Sequence, residues 1–222
     1  MDDWKKHRPN LPAPAPKKPS PEKPDAKSTV DKQSIINDLA KKLNISQIGA
    51  AVFLVVDCSG SMSDEKKLSR ARSGALEFAE SATKKGYAVG MITFADAAAV
   101  ALEPTRNLDE IRRGVSQLVA GGTTNMSGAL ESALRGLENR QSSRAVILIT
   151  DGEANDKVAA LDAVQELKKR NIDIITIGTD DADHDFLRHL ATRSDLVSMV
   201  TVANLDKAIA KAAQLLALPS RT

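Results

Sequence analysis

Residues 57–63 read Asp-Cys-Ser-Gly-Ser-Met-Ser, directly after the apolar run AAVFLVV. A carboxylate and three hydroxyls strung around a glycine suit a nucleophile, a phosphate cradle or a cage for a hard cation, and each needs different company. A Walker loop requires Gly-x-x-x-x-Gly-Lys-Ser/Thr and a dinucleotide loop Gly-x-Gly-x-x-Gly; the apolar run ends in neither. The stretch GGTTN at 121–125 is glycine-rich but does not directly follow a predicted strand. A nucleophile elbow reads Gly-x-Ser-x-Gly, and Ser61 has Gly60 before it but no second glycine in place. A serine nucleophile also needs a general base, usually histidine. The chain has only His7, in an N-terminal tail, and His184 and His189, which flank a short predicted helix as surface residues. An aspartyl phosphotransferase would want a second aspartate where Ser59 stands. A thiol phosphatase loop around Cys58 would want an arginine where Asp64 stands.

The metal reading survives this comparison. Asp57, Ser59 and Ser61 occupy alternate positions, and Gly60 permits the tight turn that lets their side chains converge. Hard cations accept oxygen ligands. One carboxylate and two hydroxyls cannot complete an octahedral shell, so other loops must contribute. Thr123-Thr124-Asn125 follows two glycines that let the backbone approach closely. Asp151, in LITDGEAN, stands directly after an apolar strand expected to neighbour the first. Between Thr123 and Thr124 the residue types do not choose.

The elements that must position these groups alternate along the chain. Strands are expected at 50–56, 87–94, 97–102, 144–150, 173–178 and 196–202. Helices are expected at 65–84, 107–118, 126–138, 156–170, 183–191 and 205–216. Leu68, Ala71, Ala75, Leu76 and Ala79 should face inward from the first of these helices, and Ala208, Ile209, Ala212, Leu215 and Leu216 from the last. The short gap between 94 and 97 makes those two strands an antiparallel pair. RAVILIT lacks polar alternation and should be buried on both faces. Alternation of this kind implies an α/β fold: a mostly parallel, doubly wound sheet with helices on both faces, whose ligands sit beyond the carboxyl ends of the strands. Glu153 reads as a solvated loop carboxylate that joins Asn155 and Asp156 in a helix-start signal.

Composition bounds the function. The chain has 222 residues, 42% hydrophobic and 27% charged, which suits one ordinary domain plus a tail. Aromatics are only 3%, which removes the stacking platform of single-strand nucleic-acid binders. Of the net charge of +2, residues 1–30 carry seven Lys and Arg against four Asp, Glu, so +3, leaving −1 for the remainder. The folded part therefore has no strong pull toward nucleic acid. Residues 1–30, with Pro9, Pro12, Pro14, Pro16, Pro19, Pro21 and Pro24, read as an extended, disordered tail. Residues 31–47 read as an amphipathic helix and linker with Ile35, Ile36, Leu39 and Leu43 on one stripe, and 48–218 as the folded domain. No apolar run reaches the ~20 residues of a membrane span. The single cysteine fits a reducing compartment, and the Lys- and Pro-rich start does not read as a secretory signal, so the expected location is cytoplasmic.

DCSGSM after an apolar strand, GGTTNMSGAL and LITDGE together resemble a von Willebrand factor A domain with a metal-ion-dependent adhesion site, of the bacterial cytoplasmic type. The resemblance covers about residues 48–217. It implies the sheet order 3-2-1-4-5-6 with a short antiparallel edge strand. It implies that Asp57, Ser59, Ser61, Thr124 and Asp151 hold Mg²⁺, with Mn²⁺ or Ca²⁺ as other possible occupants. It also implies a non-enzymatic, metal-dependent protein-binding module, whose partner offers a Glu or Asp carboxylate to the ion. Members of such families also serve as trans-acting adaptors of AAA+ ATPase or chelatase complexes, as parts of stress or defence systems, and as surface adhesion domains. The chain is expected to act as a monomer or within a hetero-complex.

Overall fold

In the computed structural model of the protein, the described residues are 49–152 and 154–219. The tail expected over 1–30, the helix expected over 31–47 and Glu153 lie outside them. Six strands form one sheet: β1 (Ala51–Asp57), β2 (Ala88–Phe94), β3 (Ala98–Thr105), β4 (Arg144–Thr150), β5 (Asp173–Thr179) and β6 (Val197–Val200). Their order is β3-β2-β1-β4-β5-β6, with β3 antiparallel to β2 and all other neighbours parallel. Among the described residues six α-helices accompany them: α1 (Glu65–Lys84), α2 (Leu108–Ser116), α3 (Met126–Leu137), α4 (Lys157–Lys169), α5 (His184–Leu190) and α6 (Leu205–Leu215).

β1 is central, and every one of its residues is buried, which is why its sequence shows no polar alternation. Its side chains still divide by the two-residue period of a strand. Val52, Leu54 and Val56 pack with Phe78 of α1 and Ile209 of α6 on one face. Ala51, Phe53 and Val55 pack with Leu130 of α3, Val164 of α4 and Leu187 of α5 on the other. With so few aromatics the core relies on close approach. The Phe53 ring lies between Gly90 of β2 and Gly136 of α3, where an added Cβ would come within 2.4 and 2.6 Å of ring atoms. Two glycines that weaken their strand and helix locally are thus required by a neighbour far away in sequence.

Three expectations shift. β3 runs on to Thr105, through Pro104, because an edge strand tolerates a missing donor and irregular pairing with β2 absorbs the offset. β6 spans only Val197–Val200: β5 stops at Thr179, opposite Val200, and the flanking residues turn into 3₁₀ helices instead. On α6 it is Ala213 that is buried, whereas Leu215 faces out; the helix ends there, and Leu216 turns inward from the extended cap.

The parallel register brings the carboxyl ends of β1 and β4 side by side. Asp57 ends β1, Thr150 ends β4, and Asp151 follows at once.

Candidate metal centre

The loop after β1 is built by its own polar groups. The Ser59 amide donates to Asp57 Oδ1 at 2.8 Å, turning the chain back over the carboxylate. The Cys58 amide donates to the Phe94 carbonyl (2.8 Å), Gly60 N–H to the Gly122 carbonyl (2.9 Å), and Gly121 N–H to the Cys58 carbonyl (2.7 Å). The first loop is therefore stitched both to the end of β2 and to the GGTTN loop. Gly122 has φ +86°, and a Cβ there would lie 2.8 Å from the Asp96 carboxylate. Asp96 needs that space, because its Oδ1 accepts the Thr123 amide at 2.8 Å and folds the loop over the sheet edge.

Ser59 Oγ lies 3.0 Å from Ser61 Oγ, and Ser61 Oγ donates to Asp151 Oδ1 at 2.7 Å. Thr150 Oγ1 donates to Asp57 Oδ2 at 2.6 Å. Asp57, Ser59, Ser61 and Asp151 thus form one hydrogen-bonded group, closed beneath by Thr150. Asp57, Ser59 and Asp151 are 0, 3 and 2% exposed, whereas Ser61 faces solvent. Thr124 is half-buried on the adjoining loop, and its own carbonyl accepts the Asn155 amide at 3.2 Å. The Thr123 hydroxyl is exposed and accepts from Asn155 Nδ2 at 3.1 Å; the Thr124 hydroxyl makes no hydrogen bond among the described residues.

Asp57 is the electrostatic centre of the group. Burial pushes its carboxyl above the ordinary carboxylate range, against the bonds from Thr150 and Ser59 that pull it down, and the neighbouring Asp151 charge adds to the rise. Among the described residues no lysine or arginine pairs with it. Asp151, by contrast, binds Lys67 Nζ of α1 through Oδ2 at 2.6 Å, and the same ammonium reaches Asp181 at 3.1 Å. Burial works against the Lys67 charge, but those two carboxylates outweigh it and raise its pKa. Cys58 is buried and free, its thiol pushed up to about 11 by burial and by the Asp57 charge, so it stays protonated and unreactive. His184 and His189 are exposed, on α5.

Four residues escaped the sequence reading. Thr150 was read only as the last residue of a strand, Lys67 fell within the expected helix 65–84 and Asp96 between two expected strands, and neither of the latter was singled out. Asn155 was assigned to a helix start, but Asp156 caps α4 by accepting from Ala159 N–H (2.9 Å), while Asn155 clamps the Thr123–Thr124 loop. The only sequence signal for Asn155 was its short distance from Asp151.

The donor set is oxygen only, apart from Lys67. Among the described residues no cluster of three or more His, Cys, Asp or Glu is placed to hold a metal; two carboxylates and several hydroxyls make a different kind of centre. A buried carboxylate without a counter-charge fits a cation, since buried charges are normally paired or bound to metal.

Fold and site together define a doubly wound α/β domain with a hydroxyl-and-carboxylate centre at the carboxyl edge of its sheet. The profile of the von Willebrand factor type A domain matches residues 51–214, and the chain belongs to that family. It is 33% identical over 133 residues to calcium-activated chloride channel regulator 1 of Bos taurus, covering 57% of this chain but only 14% of that relative's length. The vWF domain of the type V pili tip protein Mfa5 from Porphyromonas gingivalis superposes with a TM-score of 0.69 at 15% identity, over 76% of this chain and 95% of that one. Manganese-loaded TRAP protein of Plasmodium vivax superposes with a TM-score of 0.63 at 21% identity, over 77% of this chain and 75% of that one. Among the described residues no helix is long and apolar enough to cross a membrane.

Proposed function

We propose that the chain is a metal-dependent protein-binding module, in which Asp57, Ser59, Ser61, Thr124 and Asp151 hold a divalent cation, Mg²⁺ in the first instance. The observation that carries this reading is the buried carboxylate of Asp57, without a counter-charge among the described residues, beside the Ser59–Ser61–Asp151 chain. The Thr124 hydroxyl, without a hydrogen bond among the described residues, set against the engaged one of Thr123, favours Thr124 as the ligand from the second loop. The manganese-loaded relative supports a divalent ion in this fold, and oxygen donors accept Mn²⁺ or Ca²⁺ as well. When bound, such an ion supplies an electrophilic position for one more anionic oxygen, as a Glu or Asp side chain of a partner protein offers. The residues around it orient and desolvate. Thr150 aims Asp57, Ser59 N–H fixes its rotamer, and Asp96 and Asn155 hold the second loop in place. Among the described residues neither His184 nor His189 belongs to the group, and the thiol beside it is protonated, which supports a centre that binds rather than turns over.

A full-length pull-down in Mg²⁺ should capture a partner that is lost in EDTA and restored by added Mg²⁺. Capture that is indifferent to EDTA would sink the reading. An ATPase in the Mg²⁺-dependent fraction identifies the adaptor role, and an extracellular or matrix protein the adhesion role.

Cation affinity should fall with acid. The Asp57 pKa is raised, so the proton competes with the metal from a pH above the ordinary carboxylate value downward. Thr150→Val removes a bond that favours the carboxylate, so the pH at which Mn²⁺ binding is half lost should move up. A midpoint that stays or moves down would contradict the role given to Thr150.

A further inference from the structure

Among the described residues Lys67 is the one cation built into this oxygen-rich centre, and its position sets how firmly the centre can hold a metal. Its side chain is 11% exposed, and it sits at 2.6 Å on Asp151, whose side chain is wholly buried. Its second anchor, Asp181, lies on the rim with a side chain 69% exposed, where solvent screens it. Asp151 is thus divided: Oδ1 faces the serine chain through Ser61, and Oδ2 is held by Lys67. Among the described residues the buried charges are Asp57 −1, Asp151 −1 and Lys67 +1, a balance of −1. A site with both carboxylates free would carry −2 and would neutralise a divalent ion fully.

We propose that Lys67 is the charge-setting residue of the centre: it occupies one oxygen of Asp151, lowers the site's affinity for the divalent cation, and leaves the loaded site with a net positive charge that an anionic partner group must balance. This rests on the metal-binding reading above. In consequence the cation is held loosely by the chain alone and tightly only together with a carboxylate, so that metal and partner bind cooperatively. Lys67 achieves this from α1, outside the three loops that supply the ligands.

The test is Mn²⁺ binding to the full chain at low salt, followed by the loss of the free-ion electron paramagnetic resonance signal, for wild type, Lys67→Met and Lys67→Arg. Removing a cation in contact with a metal ligand should tighten Mn²⁺ binding about tenfold, and the arginine variant should stay within about twofold of wild type. Thermal unfolding gives a second readout. Lys67→Met strands the Asp151 carboxylate, so its metal-free Tm should fall, and Mn²⁺ should raise it by more than it raises the wild-type Tm. If Lys67→Met folds only with Mn²⁺, and not with added NaCl, the proposal stands; a chain that neither salt nor Mn²⁺ rescues overturns it. Unchanged or weaker Mn²⁺ binding by a folded Lys67→Met, with wild type still binding, overturns the role of Lys67 and spares the metal site. Wild type that leaves the free-ion signal untouched overturns both.

Discussion

Asp57→Asn is expected to abolish cation binding while making the metal-free chain more stable. The two effects share one cause. Asp57 is fully buried and unpaired among the described residues, so its ionised form is costly in the fold and its pKa is raised. A group with a raised acidic pKa destabilises the fold at neutral pH, and this loss is relieved as pH falls through the raised value. Asparagine removes the charge and keeps an oxygen to accept from Ser59 N–H, while the Thr150 hydroxyl can turn to accept from the new amide. Relief of this kind typically contributes about 0.5–2 kcal/mol, or roughly 2–4 °C of Tm per kcal/mol for a domain of this size. Loss of the ligand that no other residue neutralises should weaken Mn²⁺ binding by about 100-fold or more. Calorimetric titration and a thermal scan in EDTA on the same sample check both halves. An Asp57→Asn chain that melts lower than wild type in EDTA, or that still binds Mn²⁺ as wild type does, is inconsistent with the centre described.

Phe53→Ala is the largest expected loss of stability. The ring is fully buried on β1 and fills the space left by Gly90 and Gly136, neither of which has a side chain to relax into a cavity. Truncation of a buried phenylalanine costs about 3–5 kcal/mol, so Tm should drop by roughly 6–20 °C. The opposite change gives the converse test. Gly90→Ala drives a Cβ into the ring and should cost about 1–3 kcal/mol through overpacking. Combined with Phe53→Ala, the added methyl should cost far less than it does alone, because the two residues share one space. Additive losses in the double variant would show that the glycines serve some other need.

Most of the architecture was legible in the sequence because it rests on local rules. AAVFLVV and RAVILIT have the unbroken apolar character that only doubly covered strands carry, and the strands ended where polar loop residues began. Helix starts were marked by side chains that do cap: Asn107 accepts from Asp109 N–H, Asn125 from Gly128 N–H and Asp183 from Phe186 N–H. Strand order was implied by the resemblance, and the antiparallel pairing of β3 by a gap too short for anything but a reversal. Less legible were the ends of the edge strands. β6 stops where β5 stops, and a strand's length at an edge depends on its partner rather than on its own residues.

For the centre, residue types and alternate spacing by themselves marked Asp57, Ser59 and Ser61 as convergent oxygen donors, and position after an apolar strand marked Asp151. A tight turn after a buried strand is a local event, so it can be read from adjacent residues. What surrounds those donors was decided only by tertiary structure. Lys67 reaches Asp151 across 84 positions, Thr150 reaches Asp57 across 93, and Asn155 reaches Thr123 across 32. Nothing in a lysine on a helix, or in a threonine closing a strand, announces a partner so distant. The charge balance of the centre, and with it the affinity we assign to it, comes from contacts that exist only once β1, β4 and α1 are packed together.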